Sequence, residues 1–135
     1  MKLTKFKQNL VKAEDGATID MGDGLKVTVA RIGCKAYQDT IKKLTAPHQR
    51  AIRNKTLDDS VYEDIMNKAL VETILLGWEG LEDEAGNVIP YSKDKAMELM
   101  TNPEYKDFKE AISDLANEQE VFRQAEVETT ATKSQ

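Results

Sequence analysis

The stretch Leu76-Gly77-Trp78-Glu79-Gly80-Leu81-Glu82-Asp83-Glu84-Ala85-Gly86-Asn87-Val88-Ile89-Pro90-Tyr91 constrains the fold more than any other part of the chain. The only tryptophan stands where a strongly apolar run ends, between two glycines. Glycine admits positive φ, so a large aromatic can fold back beside the helix it terminates. Trp78 is therefore expected to be buried and structural, over the end of a helix carrying Leu70 and Ile74, with Gly77 and Tyr91 as structural neighbours. Ala85-Gly86-Asn87 forms a turn-rich stretch before Val88-Ile89, and Pro90-Tyr91-Ser92 leads into a new amphipathic segment. No catalytic residue type is concentrated here, which points to assembly rather than chemistry.

The 135 residues fit one ordinary domain, and 40% hydrophobic residues allow one lean core. No apolar run approaches the roughly 20 residues needed to cross a bilayer. Lys2, Lys5 and Lys7 make the N-terminus basic, but no apolar stretch follows, so a secretory signal is not expected. Cys34 stands alone and fits a reducing compartment. The net charge of -5 hides an asymmetry: residues 1–57 hold 12 Lys or Arg against 5 Asp or Glu, and residues 58–135 hold 7 against 19. The two halves either neutralise each other within one fold or meet head to tail between copies, with Arg50 and Arg53 as candidate self-association residues in a homo-oligomer.

Leu3, Phe6, Leu10 and Ala13 recur at helical spacing, so residues 1–15 read as a basic arm or a short helix. A single mainly helical domain is expected over 16–126, and a disordered tail over 127–135, where no apolar residue is larger than alanine. Leu25, Val27 and Val29 alternate with Lys26, Thr28 and Ala30, the pattern of a half-buried strand. Ile19 and Met21 belong to its hairpin partner across Gly22-Asp23-Gly24. Gly33 opens a helix that Pro47 stops. Thr56-Leu57-Asp58-Asp59 fits a capping-box start for a central helix whose apolar face runs through Val61, Ile65 and Ala69 to Leu76. Ser92 can cap a short helix, and Asn102-Pro103-Glu104 starts the last one. In that helix Tyr105, Phe108, Ile112, Leu115, Gln119 and Phe122 form a seam at steps of three and four. The seam is short for a sustained coiled coil, and packing within the domain is its favoured use. The fold class is mainly α with a small N-terminal β-hairpin.

Few constellations suggest chemistry. His48, the only histidine, has no serine or acid in a recognisable motif with it and reads as a surface loop residue. Cys34 reads as a small buried hydrophobe. The acids Glu79, Glu82, Asp83 and Glu84 fail the calcium-loop pattern, because Ala85 and Ile89 would occupy ligand positions. They read as a solvated hairpin tip. No catalytic residue, metal site or cofactor is expected. The basic segment 31–55, with Arg31, Lys35, Lys42, Lys43, Arg50, Arg53 and Lys55 against Asp39, could contact phosphates, yet its only aromatic is Tyr37 and the rest of the chain is acidic.

The segment Ile74-Leu75-Leu76-Gly77-Trp78 through Gly86 to Ile89-Pro90-Tyr91-Ser92, with the preceding Gly16-Ala17…Gly33 hairpin and the helix-rich end near Phe122, resembles the tail assembly chaperones of long-tailed, lambda-like bacteriophages. The resemblance implies a small non-enzymatic protein of the host cell cytoplasm, made late in infection. It would bind the tape measure protein, keep it soluble, help recruit the tail tube protein, and be absent from the mature virion. A longer form made by ribosomal frameshifting is a further implication. The family has no catalytic motif to carry over. A helical client needs an apolar stripe rimmed by charge, and Phe108, Ile112, Leu115 and Phe122 are the candidate client contacts. The alternatives are a nucleic-acid-binding regulator using 31–55 and a minor structural protein of the head-tail joint.

Overall fold

A computed structural model describes residues 1–122 of the chain; the expected tail over 127–135, and the last residues of the expected domain, lie outside them. The order is a 3-10 turn at Leu3–Phe6, helix α1 (Leu10–Asp15), strands β1 (Ala17–Gly22) and β2 (Leu25–Val29), helices α2 (Lys35–Thr45), α3 (Gln49–Arg53) and α4 (Asp59–Ala69), strand β3 (Leu75–Glu79), and helices α5 (Lys93–Thr101) and α6 (Lys106–Asn117). Short 3-10 turns precede α3 and α6, and another closes the described chain at Gln119–Phe122. A mainly helical fold with an N-terminal β region is thus what the chain forms.

The hairpin lies where the alternation places it. β1 and β2 pair antiparallel with Ala17 opposite Val29 and Ile19 opposite Val27. Val27 and Val29 are fully buried, while Thr18 and Thr28 share a hydroxyl hydrogen bond of 2.8 Å on the opposite face. Two strands alone are marginal in water, and here a third completes the sheet in the order β1-β2-β3. That third strand corrects the sequence reading, which ran a helix through to Leu76. α4 ends at Ala69, a π turn spans Leu70–Ile74, and the Leu75 N–H reaches back to the Leu70 carbonyl before the chain straightens. Strand pairing wins because β2 would otherwise leave an edge of unpaired backbone groups inside the domain. Pairing β3 to it also buries Leu75 and Trp78, with Trp78 directly opposite Val27.

Helix boundaries follow local capping chemistry. The Ser92 hydroxyl accepts from the Lys95 N–H at 3.0 Å, and the Asn102 side chain accepts from the Glu104 N–H at 2.9 Å with Pro103 at the first helical position. The cap of α4 is Asp58, which accepts the Ser60 N–H and hydroxyl; Thr56, expected in that role, is not the cap. Pro47 ends α2 but not the helical path, which continues through a 3-10 turn into α3. The N-terminus of α2 is served from afar: the Glu14 carboxylate, at the end of α1, accepts from the Lys35 N–H at 2.5 Å and the Ala36 N–H at 3.4 Å. Glu14 thereby places an anion where the helix presents free N–H groups.

Residues 30–32 tie the layers together. The Ala30 N–H donates to the Ile74 carbonyl, Arg31 to Ala13 and Ile32 to Ala116, so one short segment bonds the π turn, α1 and α6. One apolar core runs between sheet and helices, from Ala13 and Val27 through Ile74, Leu99 and Ile112 to Phe122.

Candidate interaction surface

The Gly-Trp segment builds one wall of a groove, and its aromatic residues form the clasp behind it. Trp78 is only 8% exposed. Its indole N–H donates to the Ile89 carbonyl at 2.8 Å, and its ring meets Tyr91 edge-on at 5.0 Å and Phe108 at 6.5 Å. The Tyr91 hydroxyl donates in turn to the Leu75 carbonyl at 3.0 Å. Such edge-to-face pairs add about 0.5–1.5 kcal/mol each beyond the area they bury. Trp78 thus lies within β3 and clamps the returning loop, rather than folding over a helix end. Gly77 needs no glycine: its φ is not positive, and an added Cβ would meet nothing within 4 Å. Gly80 is the constrained position. Its φ is 84°, and a Cβ there would lie 2.1 Å from the Gly24 carbonyl oxygen of the β1–β2 turn.

Beyond Gly80 the chain makes a narrow loop. The Ile89 N–H donates to Leu81, Glu82 bridges to Val88, and the Asp83 carboxylate accepts the N–H groups of Ala85 and Asn87, each at 2.9 Å. Those N–H groups, Asn87 foremost, hold the Asp83 carboxyl below the usual carboxylate range. Asp83 therefore serves the loop, while Glu82 and Glu84 stay exposed and form no ion pair among the described residues. Between this loop and the facing parts of α5 and α6 lies a groove of about 760 Å³. Its less exposed lining is apolar, with Leu81, Ile89, Leu99 and Phe108, while the exposed lining combines Tyr105 with the acids Glu82, Asp83, Glu84 and Glu98. The single lysine there, Lys95, already pairs with Glu98 at 3.3 Å.

The expected client seam is closed. Ile112 and Phe122 are fully buried, and Leu115 is half-buried against the same core. α6 ends at Asn117, and the following 3-10 turn drops Phe122 back into the core, where its carbonyl accepts the Asn9 N–H at 2.7 Å and the Arg31 guanidinium lies 5.9 Å over its ring. Of the four candidate contacts, Phe108 alone lines the groove. Arg50 and Arg53 are exposed on α3. The ion pairs among the described residues are four exposed contacts, each within one helix, and none joins the basic half to the acidic half. Tyr37 is half-buried, its hydroxyl 3.7 Å from the Met66 sulfur. Burial of Cys34 pushes its thiol pKa up, away from the reactive thiolate. No group of three His, Cys, Asp or Glu able to hold a metal occurs among the described residues, and no helix there is long and apolar enough to cross a membrane.

The fold and groove define a small helical domain wrapped on a three-stranded antiparallel sheet, with an apolar, acid-rimmed cleft at one end. Residues 32–133 match the model of the YdaY prophage protein family, and the chain belongs to that family. The match begins after the β-hairpin and takes in the whole groove. Neither a curated protein nor a solved structure matches the chain.

Proposed function

We propose that this prophage-family protein is a tail assembly chaperone, which holds helical segments of the tape measure protein in solution, helps recruit the tail tube protein, and leaves before the virion matures. The observation that carries the reading is the groove: an apolar floor in an acidic rim suits a helix whose apolar stripe is flanked by Lys or Arg. The client contact therefore moves from the α6 seam to Tyr105, Phe108, Leu81 and Ile89. The reading is non-enzymatic and places the protein in the host cytoplasm. The nucleic-acid alternative keeps the exposed cations of α2 and α3, but Tyr37, the one aromatic of segment 31–55, is half-buried with its hydroxyl on Met66 of α4, which limits the stacking surface it can offer bases.

Co-expression with the tape measure protein encoded nearby tests the reading. Wild type should keep the client soluble, and Tyr105→Asp, at a position 47% exposed, should lose that rescue while retaining its circular dichroism. No rescue by wild type would refute the chaperone function. Equal rescue by both forms would move the client contact off the groove. Detection of the chain in purified virions by mass spectrometry would favour the head-tail joint instead.

A further inference from the structure

The N-terminal arm exposes what soluble domains usually cover. Leu3 is 85% exposed, Phe6 62%, Leu10 69% and Val11 68%. They stand among Lys2, Lys5, Lys7 and Lys12, with no acid before Glu14. A run of exposed apolar side chains of this kind marks a contact surface. The groove offers the complement, an apolar floor with Glu82 and Glu84 exposed on its rim and in no ion pair among the described residues. We propose that the arm of one copy docks in the groove of a second copy, with Phe6 and Leu3 on the floor and the lysines against the acidic rim.

The arm and the groove lie at opposite ends of α6. The Asn9 N–H bonds the Phe122 carbonyl and Ile32 bonds Ala116 at the C-terminal end, whereas Tyr105 and Phe108 bring the N-terminal end into the groove. A helix of this length separates its ends by about 18 Å. Within one copy Leu3 and Phe6 face solvent and do not line the cleft. Each copy thus carries one donor and one acceptor, and the contact is head to tail, closing into a ring or growing as a chain. Exposed ion pairs alone contribute little; the apolar arm supplies the burial and the charges its orientation. As a cover for the groove until a client arrives, this contact rests on the chaperone reading. As an association of copies it stands alone, and its test contains no client.

The test is sedimentation of the full chain. Wild type should form species larger than a monomer that fall apart between about 0.1 M and about 1 M salt, as the Debye length drops from about 10 Å to about 3 Å. Phe6→Asp and the double variant Glu82→Lys/Glu84→Lys should each be monomeric alone. Their equimolar mixture should give a dimer and nothing larger, since only one intact arm and one intact groove can meet. All these positions are exposed, and circular dichroism checks the fold; Leu3→Asp replaces Phe6→Asp if that variant misfolds. A monomeric wild type at low salt, variants that assemble as wild type does, or a mixture that stays monomeric would each overturn the proposal.

Discussion

Two short stretches carry the same pattern and meet opposite fates. Leu3, Phe6 and Leu10 stand at steps of three and four, as do Phe108, Ile112 and Leu115. The second set closes the core, with Ile112 fully buried, while the first lies in solvent. The difference is what each stretch can reach. α6 lies between the sheet and α5 and ends in a turn that folds Phe122 inward, whereas Leu3 and Phe6 precede Asn9, where the chain is pinned, Leu10 follows it on the outer side of α1, and among the described residues no element covers them. Periodicity identifies a face; the topology around it decides whether that face finds a partner within the chain.

Substitution at matched positions should expose the contrast. Phe122→Ala should cost about 3–5 kcal/mol, a large part of the stability of a small domain, and Phe122→Asp should prevent folding. Phe6→Ala, at a surface position, should stay within about 0.5 kcal/mol. Thermal melts of the two alanine variants make the comparison, and equal losses would mean that the arm is packed in solution.

Much of this fold could be read from local signals. Ser92 and Asn102-Pro103 announce their helices because a cap bonds a backbone group two or three residues away, and Gly22-Asp23-Gly24 between alternating runs announces the hairpin. β3 could not be read in this way, since Leu75–Glu79 is a strand only because the open edge of β2 needs a partner. The Glu14 carboxylate capping α2, 21 residues distant, is equally invisible to spacing. The groove escaped for the same reason: Leu81, Leu99 and Tyr105 come from three separate segments. Of the four acids expected at a solvated hairpin tip, Glu82, Asp83 and Glu84 lie on the exposed loop, whereas Glu79 belongs to β3, and the inner side of the loop is a wall of the groove.

The Gly-Trp segment sharpens the contrast at smaller scale. Gly80→Ala puts a methyl group into the Gly24 carbonyl at a positive φ and should cost about 1–3 kcal/mol, the range for a strained backbone. Gly77→Ala meets open space in a strand and should be neutral or stabilising by up to about 1 kcal/mol. Denaturant midpoints separate them, and a reversed order would place the constraint at Gly77. Trp78→Phe keeps much of the packing but loses the bond to the Ile89 carbonyl, for about 1 kcal/mol.

Two smaller effects concern charge. The folded pKa of Asp83 is depressed, so its contribution is present above the ordinary carboxylate pKa of about 3.9 and is lost as pH falls through the folded value. NMR titration should show Asp83 ionised below that ordinary value, with the Ala85 and Asn87 amides shifting in step; an ordinary midpoint would mean the loop is not held by this carboxylate. Arg50→Glu/Arg53→Glu removes cations that have no apolar groove-filling arm beside them. It should therefore reduce self-association less than Phe6→Asp does, and a larger loss would make α3 the main contact.

Under the proposed function, the acid-rimmed groove, and not the α6 seam, is the face that would bind a helical client. Hydrogen exchange of the chain with and without tape measure fragments tests it most directly. Added protection should appear over residues 81–89 and 103–108, with the amides around Ile112 and Leu115 unchanged. Protection confined to 109–117, or none in the groove while the client is held soluble, would contradict the account.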